Sequence, residues 1–373
     1  VAKAYLAQIG GTKYYTMDEA FHAVKAGETI TLLRDYTTNK VQNSGSKSFT
    51  IDLGGFTWTY TGTDVDCAAF EINYSDVTLT VTNGKVVSGS MVGLIPSAMG
   101  GTIKYDNAGL VFDGVKMTAN GHSGIETNGN NTNDSITLKN STLNVPNGFG
   151  IYFPSSGTLT IENSTINAKT MGVQVCAGSL EITGESAINV TGDPVPKTEN
   201  DGAIEDGAAI SVVDRDGYKD FGTITISGGT FTAKAGNLAL KAYKLSGGSK
   251  SEFDNSSDTI TVSGGTFSSN VRDYVVDGKN LRVDSATSYT VVPNGGITSG
   301  TYTEEPSVAP GYKAVKNTDG TWRVEKTGGY YYYPSTPSIS AVLNGSNKSA
   351  TDYTSGDYGL VFRGTAPYSS FTG

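Results

Sequence analysis

Two octapeptides decide the fold: Ile136-Thr-Leu-Lys-Asn-Ser-Thr-Leu143 and, further along, Leu159-Thr-Ile-Glu-Asn-Ser-Thr-Ile166. Each is an apolar-x-apolar strand, a small or Asn/Gly corner, and a second alternating strand, the period-2 pattern of half-buried β-structure. The pattern recurs at Ile51, Leu79, Leu110, Leu180, Ile224 and Ile260, with steps of 28, 31, 26, 23, 21, 44 and 36 residues from 51 to 260. The shortest steps match one turn of a β-solenoid, and the longer ones are the same turn with a loop inserted. A third strand fits between most copies: Ala69-Phe-Glu-Ile72, Gly124-Ile-Glu-Thr127, Gly150-Ile-Tyr-Phe153, Gly172-Val-Gln-Val175, Ala209-Ile-Ser-Val212 and Leu238-Ala-Leu-Lys241. Three short strands per coil predict an all-β, right-handed parallel β-helix whose coils stack about 4.8 Å apart.

A single coil buries nothing, whereas a stack buries an apolar column and pairs each backbone amide with the next coil. Asn83, Asn140, Asn163, Gly184, Gly228 and Gly264 share one corner position, where Asn and Gly tolerate left-handed backbone. Stacked Asn side chains are expected to bond along the axis. The ends need covering. A small N-terminal α/β cap (1–40) is read as a hairpin across Gly10-Gly11 and a short helix, with Thr16 as N-cap, Glu19 completing a capping box and Gly27 stopping it. Residues 41–326 are the β-helix, ending in a closing hairpin around Asn317-Thr-Asp-Gly320. A Tyr/Pro linker (327–337) and a truncated C-terminal β module (338–373) follow.

Composition agrees. Of 373 residues 48 are Gly and 17% are charged, so helix formers are scarce and turn formers abundant. A net charge of −9 argues against a nucleic-acid partner, and no apolar run is long enough to span a membrane. Cys67 and Cys176, the only cysteines, fall about four coils apart, or ~19 Å, too far for a disulfide. With His22 and His122 the only histidines, a Cys/His zinc site is not expected.

The segment from Tyr15 to Leu33, the Ser-Gly-Gly-Thr-Phe corners and the stretch Gly311 to Trp322 resemble the β-helix regions of modular secreted or wall-attached proteins of Gram-positive gut bacteria. The resemblance implies a pectate-lyase-like fold, a secreted or cell-surface location, and an immunoglobulin-like module at the tail. That fold hosts hydrolases, lyases, tailspikes and adhesins, so it does not decide activity.

Pectin hydrolases of this fold resemble one another in paired aspartates, Asn-Thr-Asp, His-Gly and Arg-x-Lys. Here Asn131-Thr-Asn-Asp134 is a superficial echo, His122 precedes Ser123, and neither Asp-Asp nor Arg-x-Lys occurs. The two placed carboxylates that glycoside hydrolysis requires are not evident, so no catalytic residue is assigned. His122 is read as a surface histidine, Glu126 being its nearest acid in sequence. Lyases of the fold resemble one another in acidic calcium ligands, and the nearest stretch is Asp214-Arg-Asp-Gly-Tyr-Lys-Asp220, beside the insertion Asp193 to Gly207. Asp214, Asp216 and Asp220 are candidate oxygen ligands for calcium, the one cofactor considered. Among aromatics, Tyr152, Trp58 and Tyr60 are candidates for stacking on sugars or anchoring a partner, against inward stacking in the core. The reading that follows is a monomeric, non-catalytic surface protein of adhesion type, presenting the β-helix to host or plant glycans or to host proteins. The alternatives are a carbohydrate-active lyase or glycoside hydrolase and a pure spacer.

Overall fold

A computed structural model describes residues 4–196 and 202–327, with the backbone of two further strands, Ser340–Leu343 and Ser346–Ser349, which pair antiparallel. The linker and most of the module expected over 338–373, including the strand from Gly359 to Arg363, lie outside the described residues. The chain divides into two compact units, Val1–Asn294 with Gly300–Glu304, and Gly295–Ser299 with Glu305–Gly373.

The first unit is a parallel β-helix. Its first strands stack in one parallel series: Thr29–Leu32, Phe49–Asp52, Thr78–Ser88, Gly109–Ala119, Ser135–Lys139, Thr158–Glu162, Gly178–Thr183, Phe221–Ile226 and Ile260–Val262. The second strands continue this sheet around the corner. The third strands form a separate nine-stranded sheet. Leu79, Leu110, Ile136, Leu159, Leu180, Ile224 and Ile260 occupy one buried column, coil upon coil.

Three register details depart from the sequence reading. Phe49, not Ile51, pairs with Leu79, while Trp58 pairs with Val86. Leu53-Gly54-Gly55 lengthens that corner by two residues, which displaces the strand by one pleat and keeps its apolar residues inward. In the third sheet Ile210 pairs with Leu240, so Ala239 rather than Leu238 follows Ala209, and Leu238 is exposed. A third strand also exists at Met91–Ile95, in register with its neighbours.

The corner works as expected at Asn83, Asn140, Asn163 and Gly184, joined by Gly114, all at φ between 46° and 68°. Gly228 and Gly264 do not share this conformation. The following Gly229 and Gly265 take it up at φ 107°, so the Ser-Gly-Gly-Thr corner turns one residue later. Asn-on-Asn stacking occurs in other columns: Asn189 Nδ2 donates to Asn167 Oδ1 (2.9 Å) and Asn167 Nδ2 to Asn144 Oδ1 (2.8 Å).

Both stack ends carry antiparallel strands, which blunts the exposed edges. At the start, Ala7–Ile9 pairs with Thr12–Tyr14 and with Thr29–Leu32. The helix Met17–Ala23 follows, capped reciprocally by Thr16 and Glu19. It ends at Val24, three residues before Gly27, when the backbone turns extended. At the other end the strand laid on the last coil is Ser288–Pro293, hairpinned to Lys279–Ser285, with Tyr289 opposite Phe267. The hairpin of Tyr312–Lys316 and Trp322–Lys326 forms but belongs to the second unit.

Close packing of faces demands small residues in the third sheet. A Cβ at Gly172 would lie 2.3 Å from the Ala209 carbonyl oxygen and 2.3 Å from Ile188 Cγ2. Gly172→Ala is therefore expected to cost about 1–3 kcal/mol through overpacking and to lower the thermal midpoint. Gly295→Ala, with no atom within 4 Å of its Cβ, should stay within about 0.5 kcal/mol. Equal midpoints for the two variants would contradict this packing.

Candidate functional site

The outer face of the third sheet holds the densest polar chemistry. Strand alternation and parallel register line up Glu126, Tyr152, Gln174, Ser211 and Lys241 along one outward row. The described part of the insertion folds over this row. Ile204 is held by the Gln174 amide on both sides: Gln174 Nε2 donates to its carbonyl (2.8 Å), and its N–H donates to Gln174 Oε1 (2.9 Å). Arg215 Nη1 donates to the Gly202 carbonyl (2.6 Å) and to Tyr152 Oη (3.1 Å). Buried Asp206 accepts from Ser211 Oγ (2.6 Å), Tyr243 Oη (3.1 Å) and the Ala208 amide (3.1 Å). Ala203 and Ile204 join Phe149, Tyr152, Met171, Cys176, Val213, Tyr243 and Leu245 in a second apolar cluster. Paired polar groups in such low-dielectric surroundings hold the segment in one position.

This arrangement revises the aromatic candidates. Tyr152 does point outward, but the insertion covers it to 5% exposure, and burial drives its phenol well above the ordinary range. Trp58 and Tyr60 do share a face, and it is the inner one: both are buried. Trp58 packs against Tyr36 (4.7 Å between ring centroids) and Phe70 (5.1 Å). None of the three offers a ring face to a ligand.

Two of the three calcium candidates have their carboxylates engaged, and the third is tied in through its backbone. Asp214 faces Lys244 at 3.9 Å, Asp216 accepts from Ser246 Oγ, and the Asp220 carbonyl accepts from the Gly178 amide at 3.1 Å. Among the described residues no three His, Cys, Asp or Glu side chains group as a metal site would require. Lys219 reaches across instead, donating to the Asn131 carbonyl (3.2 Å) and to Thr132 Oγ1. The two loops singled out in the sequence are thus neighbours, joined through a lysine.

His122 has a carboxylate partner, and it is Glu205 rather than Glu126: Nε2 lies 2.8 Å from Glu205 Oε1. Thr170 Oγ1 donates to the other Glu205 oxygen. The carboxylate thus ties two coil corners to the insertion. Because 83 residues separate the pair, no local spacing could have revealed it. Cys67 and Cys176 are free thiols. Burial pushes Cys176 up to about 12 and also raises Cys67, which leaves little reactive thiolate.

Asn131 and Asp134 are fully buried. Asp134 accepts from Asn131 Nδ2 (3.0 Å) and from the Ala108 amide (3.2 Å), stitching one coil to the previous one. Burial raises Asp134 to about 7 despite these bonds. Its folded value exceeds the unfolded one, so folding retains a proton that the unfolded chain releases. The associated stability is fully present below about pH 4 and is lost as pH rises through 7. Relative to Asp134→Asn, the wild type should lose a few kcal/mol between pH 4 and 7 in denaturant titrations. A pH-independent difference would show that the carboxyl stays ionised.

The chain matches no protein-family model, no curated protein and no solved structure, so the assignment of a parallel β-helix rests on the register of its own sheets.

Proposed function

We propose that this chain is a non-catalytic, extracellular surface protein of adhesion type, presenting its β-helix to glycans or host proteins. The resemblance of its opening segment, corners and closing stretch to wall-attached and secreted β-helix proteins of the pectate-lyase-like class supports the location. The observation that carries the binding role is the loop from Ala98 to Ile103. Met99 is 77% exposed at its tip in left-handed backbone, φ 51°, which a methionine adopts only under constraint. The constraint is a pair of backbone bonds, Ala98 N–H to Ile103 C=O (2.9 Å) and Ile103 N–H to Ala98 C=O (3.1 Å). Ile103 is exposed as well, as are Val65 and Tyr74 on loops of the preceding coil. Methionine adapts to varied apolar partners, and a fixed loop that displays it is suited to binding.

Purified chain is incubated with plant polysaccharides, mucin glycans and host secreted proteins, and scored for retention and for chain cleavage. Retention without cleavage is the expected outcome, with protein partners retained less by Met99→Asp/Ile103→Asp. Cleavage of any polysaccharide would replace this reading with a carbohydrate-active enzyme, and failure to retain any of them would leave a spacer.

A further inference from the structure

At the N-terminal cap a hollow of about 220 Å³ is lined by Leu6, Tyr15, Met17 and Tyr36, with Asp18, Lys40, Thr16 and Thr38 among its polar atoms. We infer that this hollow binds one ring of a neutral oligosaccharide, in which Tyr15 and Tyr36 supply apolar faces and the polar residues meet the hydroxyls. This rests on the ligand-presenting reading above and adds to the Met99 loop a separate site for glycans.

Size comes first. Sites that engulf a whole drug-sized ligand run to roughly 300–1,000 Å³; this one is smaller, and suits a single ring whose chain continues into solvent. Sugar rings present C–H faces bordered by hydroxyls, which match an aromatic side chain with polar neighbours. Leu6 and Met17 are buried, whereas Tyr15 is 36% exposed. The charges decide between neutral and ionic ligands. Asp18 and Lys40 pair at 3.0 Å while both stay well exposed, so neither offers an uncompensated charge to an ion, yet both keep free hydrogen-bonding capacity. Thr16 Oγ1 accepts from the Glu19 amide and Thr38 Oγ1 from the Lys40 amide. Each hydroxyl therefore keeps its own proton to donate.

The hollow is also prepared in advance. Tyr15 stacks on Tyr5, centroids 4.3 Å apart at 21°, and the Tyr15 and Thr16 amides both donate to Glu19 Oε2. Tyr36 packs edge-on against buried Trp58 at 74°. Rings already fixed lose little conformational entropy on binding.

The test titrates the chain calorimetrically with cellohexaose, xylohexaose and maltohexaose, and with a galacturonate hexamer as the anionic probe. At least one neutral hexasaccharide should bind. Tyr15→Ala, checked for unchanged circular dichroism, should weaken that binding tenfold or more, Tyr15→Phe less than threefold, and a change at exposed Leu238, Leu238→Asp, not at all. Asp18→Ala, which unmasks Lys40, should raise affinity for the galacturonate hexamer relative to the neutral ones. Neutral binding that Tyr15→Ala leaves intact would overturn the site while sparing the ligand-presenting reading. Binding of the anionic probe alone would overturn it too, as would retention of proteins with no hexasaccharide bound. Failure to bind proteins and glycans alike would overturn both.

Discussion

Backbone pairing between successive coils is the constraint on which everything else in this unit depends. Each strand has its amides and carbonyls satisfied by the coils on either side, so a coil has no stable conformation by itself. Register between coils then decides which side chains face inward, because a slip of one residue exchanges the two faces. The column from Leu79 through Ile260 is in step along its whole length. Irregular segments are expelled at corners, where they do not disturb the ladder: Gly54-Gly55 at one and the insertion after Val190 at another. The two antiparallel strand pairs at the ends, Ala7–Ile9 with Thr29–Leu32 and Ser288–Pro293 with Thr266–Phe267, end the ladder where a further coil would otherwise add.

The same repetition disposes of polar groups. Ser141, Ser164 and Ser186 are buried one above another; the Ser141 amide donates to Ser164 Oγ (3.0 Å) and the Ser164 amide to Ser186 Oγ (3.3 Å). Serine thus performs at a buried corner what Asn144, Asn167 and Asn189 perform along a flank. Each hydroxyl serves an amide that the corner would otherwise leave unsatisfied, an omission that costs about 1–3 kcal/mol apiece. Polar ladders of this kind also oppose slippage, since a shift by one coil position breaks every rung together.

How much was legible follows from which contacts repeat. The first strands were readable because alternation returns at each coil, and the corner asparagines because left-handed backbone narrows the choice of residue. Met91–Ile95 carries no such mark, since Met91, Val92, Leu94 and Ile95 leave no polar alternation. Its outward Leu94 stands where other coils place Glu71 and Glu126. The irregular length of the preceding corner hides from the sequence that Ala239, not Leu238, follows Ala209. The outward course of Tyr152 could be read from its strand, but not the segment that covers it. Contacts made once, such as Glu205 with His122 and Ile204 with Gln174, have no period and leave no trace in local sequence.

A fold built from repetition restricts where recognition can arise. Inward side chains are committed to the column, and most outward ones sit on a flank whose neighbours above and below are chemically alike. A site that distinguishes one ligand needs a local break in that monotony. Among the breaks that the described residues show are the insertion over the third sheet, the loop displaying Met99, and the helical cap. The insertion fills its own hollow with Ile204 and Asp206. The other two leave side chains exposed on backbone that is held in place, by the paired Ala98 and Ile103 bonds and by the Thr16–Glu19 box. Recognition by this protein is therefore expected where the repeat is interrupted, with the coils setting how far apart the two exposed features stand.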